Sequence, residues 1–185
     1  MPSTHPKPRI VYMHGDGVLS WSWGWVARLQ QGLHTAGFPT FFELFPDSIE
    51  ARAKYRLPFS SDHVGAGAGE VPVGWSCGSV AAMRFAQDHR VRGLVLIAPY
   101  YTDLGLDAVR RSGFVGRPWP WARIKANADR IAMFHSNRDP YVAQAEFAEL
   151  AQRLDARVFE ITGAGHSSEQ DTFPELTDCL IQTHG

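Results

Sequence analysis

Three residue types that together activate a hydroxyl group occur along this chain in a productive order. Gly74-Trp75-Ser76-Cys77-Gly78 fits G-x-S-x-G, the pattern in which a serine stands on a sharp strand-to-helix turn and flanking glycines relieve the crowding. A serine alone is a poor nucleophile and needs a histidine base held by a carboxylate. After such an elbow the carboxylate comes next along the chain, and the histidine last. Asp139 follows the apolar run Ile131-Ala132-Met133-Phe134, and His166 follows Thr162-Gly163-Ala164-Gly165. That order favours Asp139 over Asp103, which follows an earlier strand, and His166 over His135, which precedes Asp139. The competing reading of the motif is a plain glycine-flanked turn in which Ser76 caps a helix.

Attack on a carbonyl creates an oxyanion, which needs two backbone N–H donors. One is expected from Cys77, the residue after the nucleophile, at the start of a helix whose dipole favours negative charge. The other is expected from the loop His14-Gly15-Asp16-Gly17, at Asp16, with Gly15 or Gly17 as alternatives. Cys77 itself is expected to be an inert thiol, since the elbow exposes Ser76 instead. Trp75, Gly15 and Trp119 are the residues expected to line a substrate pocket. No H-E-x-x-H or C-x-x-C pattern occurs, and Gly65-Ala66-Gly67-Ala68-Gly69 is out of frame for a dinucleotide loop. Neither a metal nor an organic cofactor is therefore expected.

The elements that must position these residues alternate. Ile10–Met13 reads as a buried strand, and Val26, Leu29 and Leu33 give helical spacing over 23–35, stopped by Gly37. Thr40–Leu44 reads as a strand, and residues 48–56 as a short helix ended by Leu57-Pro58-Phe59. Residues 60–70 read as a loop. Val71–Trp75 forms the strand before the elbow, with Pro72 at its start because proline cannot donate to a ladder. Gly78–His89 is helical. Val91–Ala98 is apolar on both faces, as a central parallel strand should be. The irregular stretch 102–127 is the one candidate for a partial lid. Ile131–His135 is a strand, Pro140 opens a helix, and Phe147, Leu150, Ala151 and Leu154 share a helical face. Val158–Ile161 is the last strand, and Pro174 starts the last helix. This strand–helix rhythm predicts an α/β protein with a mostly parallel sheet between two helical layers, folded as one domain over 1–185.

Composition removes whole classes of function. With 18 Lys+Arg against 19 Asp+Glu the net charge is −1, which offers nothing to a phosphate backbone, so no nucleic-acid partner is expected. No apolar run approaches 18 residues, so no membrane partner is expected either. The first nine residues lack the apolar stretch of a signal peptide, and two cysteines, Cys77 and Cys179, suit a reducing cytoplasm.

The chain resembles the small serine hydrolases grouped with retinoblastoma-binding protein nine, within the α/β-hydrolase fold. The resemblance runs over nearly its whole length. It rests on Gly24-Trp25-Val26, Leu57-Pro58-Phe59, the elbow continuing to Ala81-Ala82-Met83-Arg84-Phe85-Ala86, Arg117-Pro118-Trp119-Pro120-Trp121, Ile124-Lys125-Ala126-Asn127, Asp139-Pro140 and Gly165-His166. It implies a minimal α/β-hydrolase without a cap domain, with Ser76 as nucleophile, Asp139 as orienting acid and His166 as base. The expected activity is cleavage of a small ester, thioester or amide, the partner being a small-molecule acyl substrate. The alternatives on the same site are acyl transfer, a lyase or a cyclase reaction, or a non-catalytic interaction role. The sequence departs from the family at Trp75, where a histidine is expected, and in its shorter loop at 14–17. Neither cysteine sits in an L-x-C-x-E motif, so no pocket-protein partner carries over.

Overall fold

The computed structural model describes residues 6–64 and 69–185. Six strands form one parallel sheet: β1 (Arg9–Met13), β2 (Thr40–Phe42), β3 (Glu70–Trp75), β4 (Leu94–Ile97), β5 (Ile131–Ser136) and β6 (Arg157–Ile161), in the spatial order β2-β1-β3-β4-β5-β6. Side chains alternate between faces, as a period of two requires. Val11 and Met13 of β1 enter one core with Leu94 and Leu96 of β4, while Ile10, Tyr12, Val95 and Ile97 enter the other.

Helices cover both faces. Helices α1 (Trp25–Thr35) and α7 (Pro174–His184) pack together on one side. On the other lie α2 (Ala53–His63), α3 (Cys77–Asp88), α5 (Trp121–Asn127) and α6 (Gln144–Leu154), and the short α4 (Asp107–Ser112) lies between β4 and α5 in the chain. This is the three-layer arrangement of the α/β-hydrolase fold. The chain leaves β1 for β2 on one side, then crosses back to β3 on the other. The loops after β1 and β3 therefore diverge at a switch point, where α/β sheets form their ligand crevice.

The structure corrects several local expectations. The helix expected at 48–56 is α2, Ala53–His63, and it runs through Pro58 rather than ending there. Pro58 is exposed, and its missing N–H would have bonded the Lys54 carbonyl, so the helix continues one bond short. The expected loop over 60–70 is helical to His63 and extended from Glu70, and the glycine run at 65–68 lies outside the described residues. Pro72 is the third residue of β3, opposite Val11. Bonds from Arg92 N–H to the Glu70 carbonyl and from Ser76 N–H to the Ile97 carbonyl show that even-numbered positions of β3 face β4. The registered pairing with β4 runs from Val73 to Trp75, so Pro72 withholds its donor just before that pairing begins. The strand expected over Val91–Ala98 narrows to Leu94–Ile97, with Val91 in an isolated bridge to Ala128. Pro140 does not open a helix: α6 begins at Gln144. Among the described residues no helix is long and apolar enough to cross a membrane.

Candidate active site

Ser76 stands between the end of β3 and the first residue of α3, with φ 56° and ψ −123°. A non-glycine residue at positive φ is strained and persists only where its surroundings enforce it. The two glycines of the motif make the turn possible. A Cβ on Gly74 would lie 2.4 Å from the Gly78 carbonyl oxygen, and one on Gly78 would lie 1.9 Å from that of Met13. Ser79 then locks the turn from inside. Its hydroxyl lies 2.6 Å from the Gly74 carbonyl and 2.9 Å from that of Ile97, and it accepts the Ile97 N–H at 3.1 Å. Ser76 makes no helix-capping bond with its side chain, so the bland reading of the motif does not describe this turn.

The Ser76 hydroxyl instead lies 2.9 Å from His166 Nε2, and His166 Nδ1 lies 2.7 Å from Asp139 Oδ2. The structure thus brings together three residues separated by 63 positions between the first and second and 27 between the second and third. The Asp139 side chain is fully buried, and its Oδ1 accepts the N–H groups of Tyr141 and Val142 at 2.9 and 3.0 Å. That leaves Oδ2 for the imidazole. With its proton on Nδ1, His166 presents Nε2 as an acceptor to the serine hydroxyl. Two indoles hold the histidine loop. Trp75 Nε1–H donates to the His166 carbonyl at 2.8 Å, and Trp25 Nε1–H to the Ser167 carbonyl at 2.7 Å.

The N–H groups around Ser76 divide sharply. Gly17 N–H donates to the Ile49 carbonyl and Val18 N–H to that of Ser48, so both are consumed. Gly15 and Asp16 donate to no described residue. Cys77, as the first residue of α3, has no intrahelical acceptor for its N–H. Gly17 is thereby removed from the alternatives for the second donor. Burial pushes the Cys77 thiol up to about 12, so it stays protonated near neutral pH and is not a thiolate nucleophile.

A cavity of about 340 Å³ opens at Asp16 and Cys77, bounded further by Tyr100, Ile49, Val109, Arg111 and neighbouring residues of the 49–52 and 108–112 segments. The stretch expected to be irregular thus supplies α4 as one wall. Of the three residues expected to line a pocket, Gly15 packs against Trp75 with no room for a side chain between them: a Cβ there would lie 2.8 Å from the indole. Trp75 is buried, tilted against Trp23 and facing His166, and acts on the histidine loop rather than as a cavity wall. Trp119 lies elsewhere. It stacks on Trp121, sits under the Arg84 guanidinium at 3.5 Å, and donates to the Tyr101 carbonyl. It borders a separate cavity of about 300 Å³ with Arg84, Arg117 and Pro118, away from Ser76.

Comparison with known proteins decides the family. The serine hydrolase family model matches residues 61–182. The Rattus norvegicus serine hydrolase RBBP9 is 38% identical over 171 residues, covering 92% of this chain and 91% of that protein. The chain belongs to the serine hydrolase family. It is an enzyme of that family with the compact α/β-hydrolase fold. Solved structures carry the same fold at low identity. The ydeN gene product from B. subtilis superposes with a TM-score of 0.84 at 21% identity, covering 95% of this chain and 98% of that one. The esterase domain from a Rhodothermus marinus protein does so with a TM-score of 0.62 at 16% identity, covering 98% and 86%.

The rival residues have other occupations in this family member. Asp103 pairs with Arg110 and accepts the Gly105 N–H. His135 is buried against the Phe147 ring. Two residues near the site were not anticipated. Glu146 accepts the N–H groups of Tyr101 and Thr102 and the Thr102 hydroxyl, ordering the chain after β4. Arg56 is fully buried beneath the loop after β1. Neither carries a local signal: a charged residue on a helix reads as solvated surface until the tertiary fold covers it.

Proposed function

We propose that this serine hydrolase cleaves a small ester, thioester or amide through an acyl-enzyme on Ser76. The observation that carries the proposal is the continuous bonded chain from the strained Ser76 through His166 to buried Asp139, at 2.9 and 2.7 Å. His166 takes the serine proton as the hydroxyl attacks the acyl carbon, then returns it to the leaving group. Asp139 holds the tautomer that makes this possible and steadies the imidazolium between the two transfers. The N–H groups of Cys77 and Asp16 receive the oxyanion, assisted by the N-terminal dipole of α3. Water, activated by the same histidine, attacks the acyl carbon and frees the serine.

The cavity beside Cys77 and Asp16 is the seat for one arm of the substrate. Its volume suits a short group, with apolar Ile49 and Val109 beside polar Tyr100 and Arg111. Two free, buried cysteines agree with work in a reducing cytoplasm. The test is steady-state hydrolysis of p-nitrophenyl acetate and butyrate by the wild type, Ser76→Ala and His166→Ala. The expected result is loss of roughly 10⁴-fold or more in kcat for either variant. Activity in folded Ser76→Ala equal to the wild type contradicts the proposal.

A further inference from the structure

Arg56 is a buried cation whose binding partners are all neutral. Its side chain is 0% exposed. One terminal nitrogen donates to the His14 carbonyl at 2.7 Å and approaches Cys77 Sγ at 3.5 Å, and the other donates to the Gly15 carbonyl at 3.0 Å. Among the described residues no carboxylate lies within salt-bridge distance of it. Burying a charge without a direct counter-ion is costly, so a position that retains one calls for an explanation.

The peptide plane supplies it. In a trans peptide the carbonyl and the following N–H point in opposite directions. Turning the His14 and Gly15 carbonyls onto one guanidinium therefore turns the N–H groups of Gly15 and Asp16 away from it, both to the same side. An extended strand would alternate them. Two neighbouring carbonyl dipoles that converge repel one another unless a cation lies between, and two neighbouring N–H groups that converge form an anion-binding nest. Those are the two N–H groups of the loop that no described residue accepts. His14 completes the clamp. Its Nε2 accepts the Phe45 N–H at 2.9 Å, so Nδ1 carries the proton and donates to the Gly15 carbonyl at 2.6 Å. Burial first, and Arg56 second, depress this imidazole to about 4, so it stays neutral.

We propose that Arg56 is the positioning residue of the oxyanion hole: it fixes the Gly15 and Asp16 N–H groups on the Ser76 side and sets a positive charge with no direct carboxylate partner beneath them and beneath Cys77. The inference rests on the reading of Ser76 as nucleophile. The guanidinium has no direct anionic partner in the resting enzyme, and its attraction to a negative charge at Ser76 grows as the tetrahedral oxyanion forms, which is the differential that lowers a barrier. Arg56 touches no reacting atom. It acts through backbone that does.

The experiment compares wild type, Arg56→Met and Arg56→Lys, each measured for melting temperature, for fluorophosphonate labelling rate at Ser76, and for kcat and KM with p-nitrophenyl acetate per titrated site. Counting sites separates the two roles, because a purely structural residue lowers the number of titratable sites and leaves kcat per site alone. Expected are a fall of at least about tenfold in labelling rate and kcat per site in Arg56→Met, KM within about twofold, and partial recovery in Arg56→Lys. A folded Arg56→Met with wild-type kcat per site overturns the inference. Should Arg56→Met fail to fold, Arg56→Lys decides: charge without the two-pronged geometry must lower kcat at constant KM, and wild-type kcat there overturns it. Absence of labelling in the wild type itself would sink the reading of Ser76 instead, a result that the variants cannot mimic.

Discussion

Asp139 divides its carboxylate between two sets of partners: Oδ1 holds the turn at Tyr141 and Val142, and Oδ2 faces His166, the contact that the proposed mechanism uses. Asparagine can keep the first function with its own oxygen, but its NH₂ cannot accept the imidazole N–H. Asp139→Asn should therefore melt close to the wild type and lose roughly 10⁴-fold in kcat, because the wrong tautomer leaves Nε2 protonated. A calorimetric scan beside an ester assay checks both halves, and a kcat within tenfold of wild type would remove Asp139 from the mechanism. At this scale the proposed site was partly legible. Ser76, Asp139 and His166 stand out through motif and order, since an elbow imposes glycines and the fold imposes a sequence of strands. Arg56 and Trp119 were not legible. Whether a lone arginine or tryptophan faces a site depends on segments that only the folded chain brings together, such as the 14–17 loop over Arg56 and Arg84 over Trp119.

Elements explain where local rules failed. Pro58 reads as a helix stop, which hides that α2 continues to His63 and that Arg56 lies within it. The helix tolerates the proline because its ring faces solvent and only the Lys54 carbonyl loses a partner. Restoring that bond with Pro58→Ala should stabilise the protein by about 1–2 kcal/mol, a rise of roughly 2–6 °C in Tm. Thermal denaturation reads this directly, and a lowered Tm would mean that the rigid ring contributes more than the missing bond costs. Strands were easier to read. Leu94–Ile97 is buried on both faces and is apolar throughout, whereas its predicted flank at Val91 pairs only through a single bridge. Pro72 shows the limit of a composition rule: what matters is which neighbour its nitrogen faces, and that requires the sheet order.

The whole molecule carries a pH dependence set by buried imidazoles. Burial depresses His14 to about 4, with Arg56 adding to the effect, and burial depresses His184 to about 4, aided by Arg130 and Arg92. In the unfolded chain both titrate near 6.5. Between these values the unfolded state binds more protons than the folded one, so stability is full above pH 6.5 and falls progressively as pH drops towards 4. The midpoint of urea denaturation should be clearly lower at pH 4.5 than at pH 7. An equal midpoint at both would mean that these histidines are not held neutral. On the proposed mechanism activity should fall over the same range, because protonated His14 could no longer accept the Phe45 N–H that holds the loop after β1.

On the proposed mechanism folding alone activates the Ser76 hydroxyl. Intact-mass spectrometry of wild type and Ser76→Ala after a fluorophosphonate probe tests it most directly, with peptide mapping to place any adduct. One adduct per wild-type chain, mapped to Ser76, and none in the variant is the expected result. A folded wild type that takes up no probe, or an adduct that persists in Ser76→Ala, would contradict it.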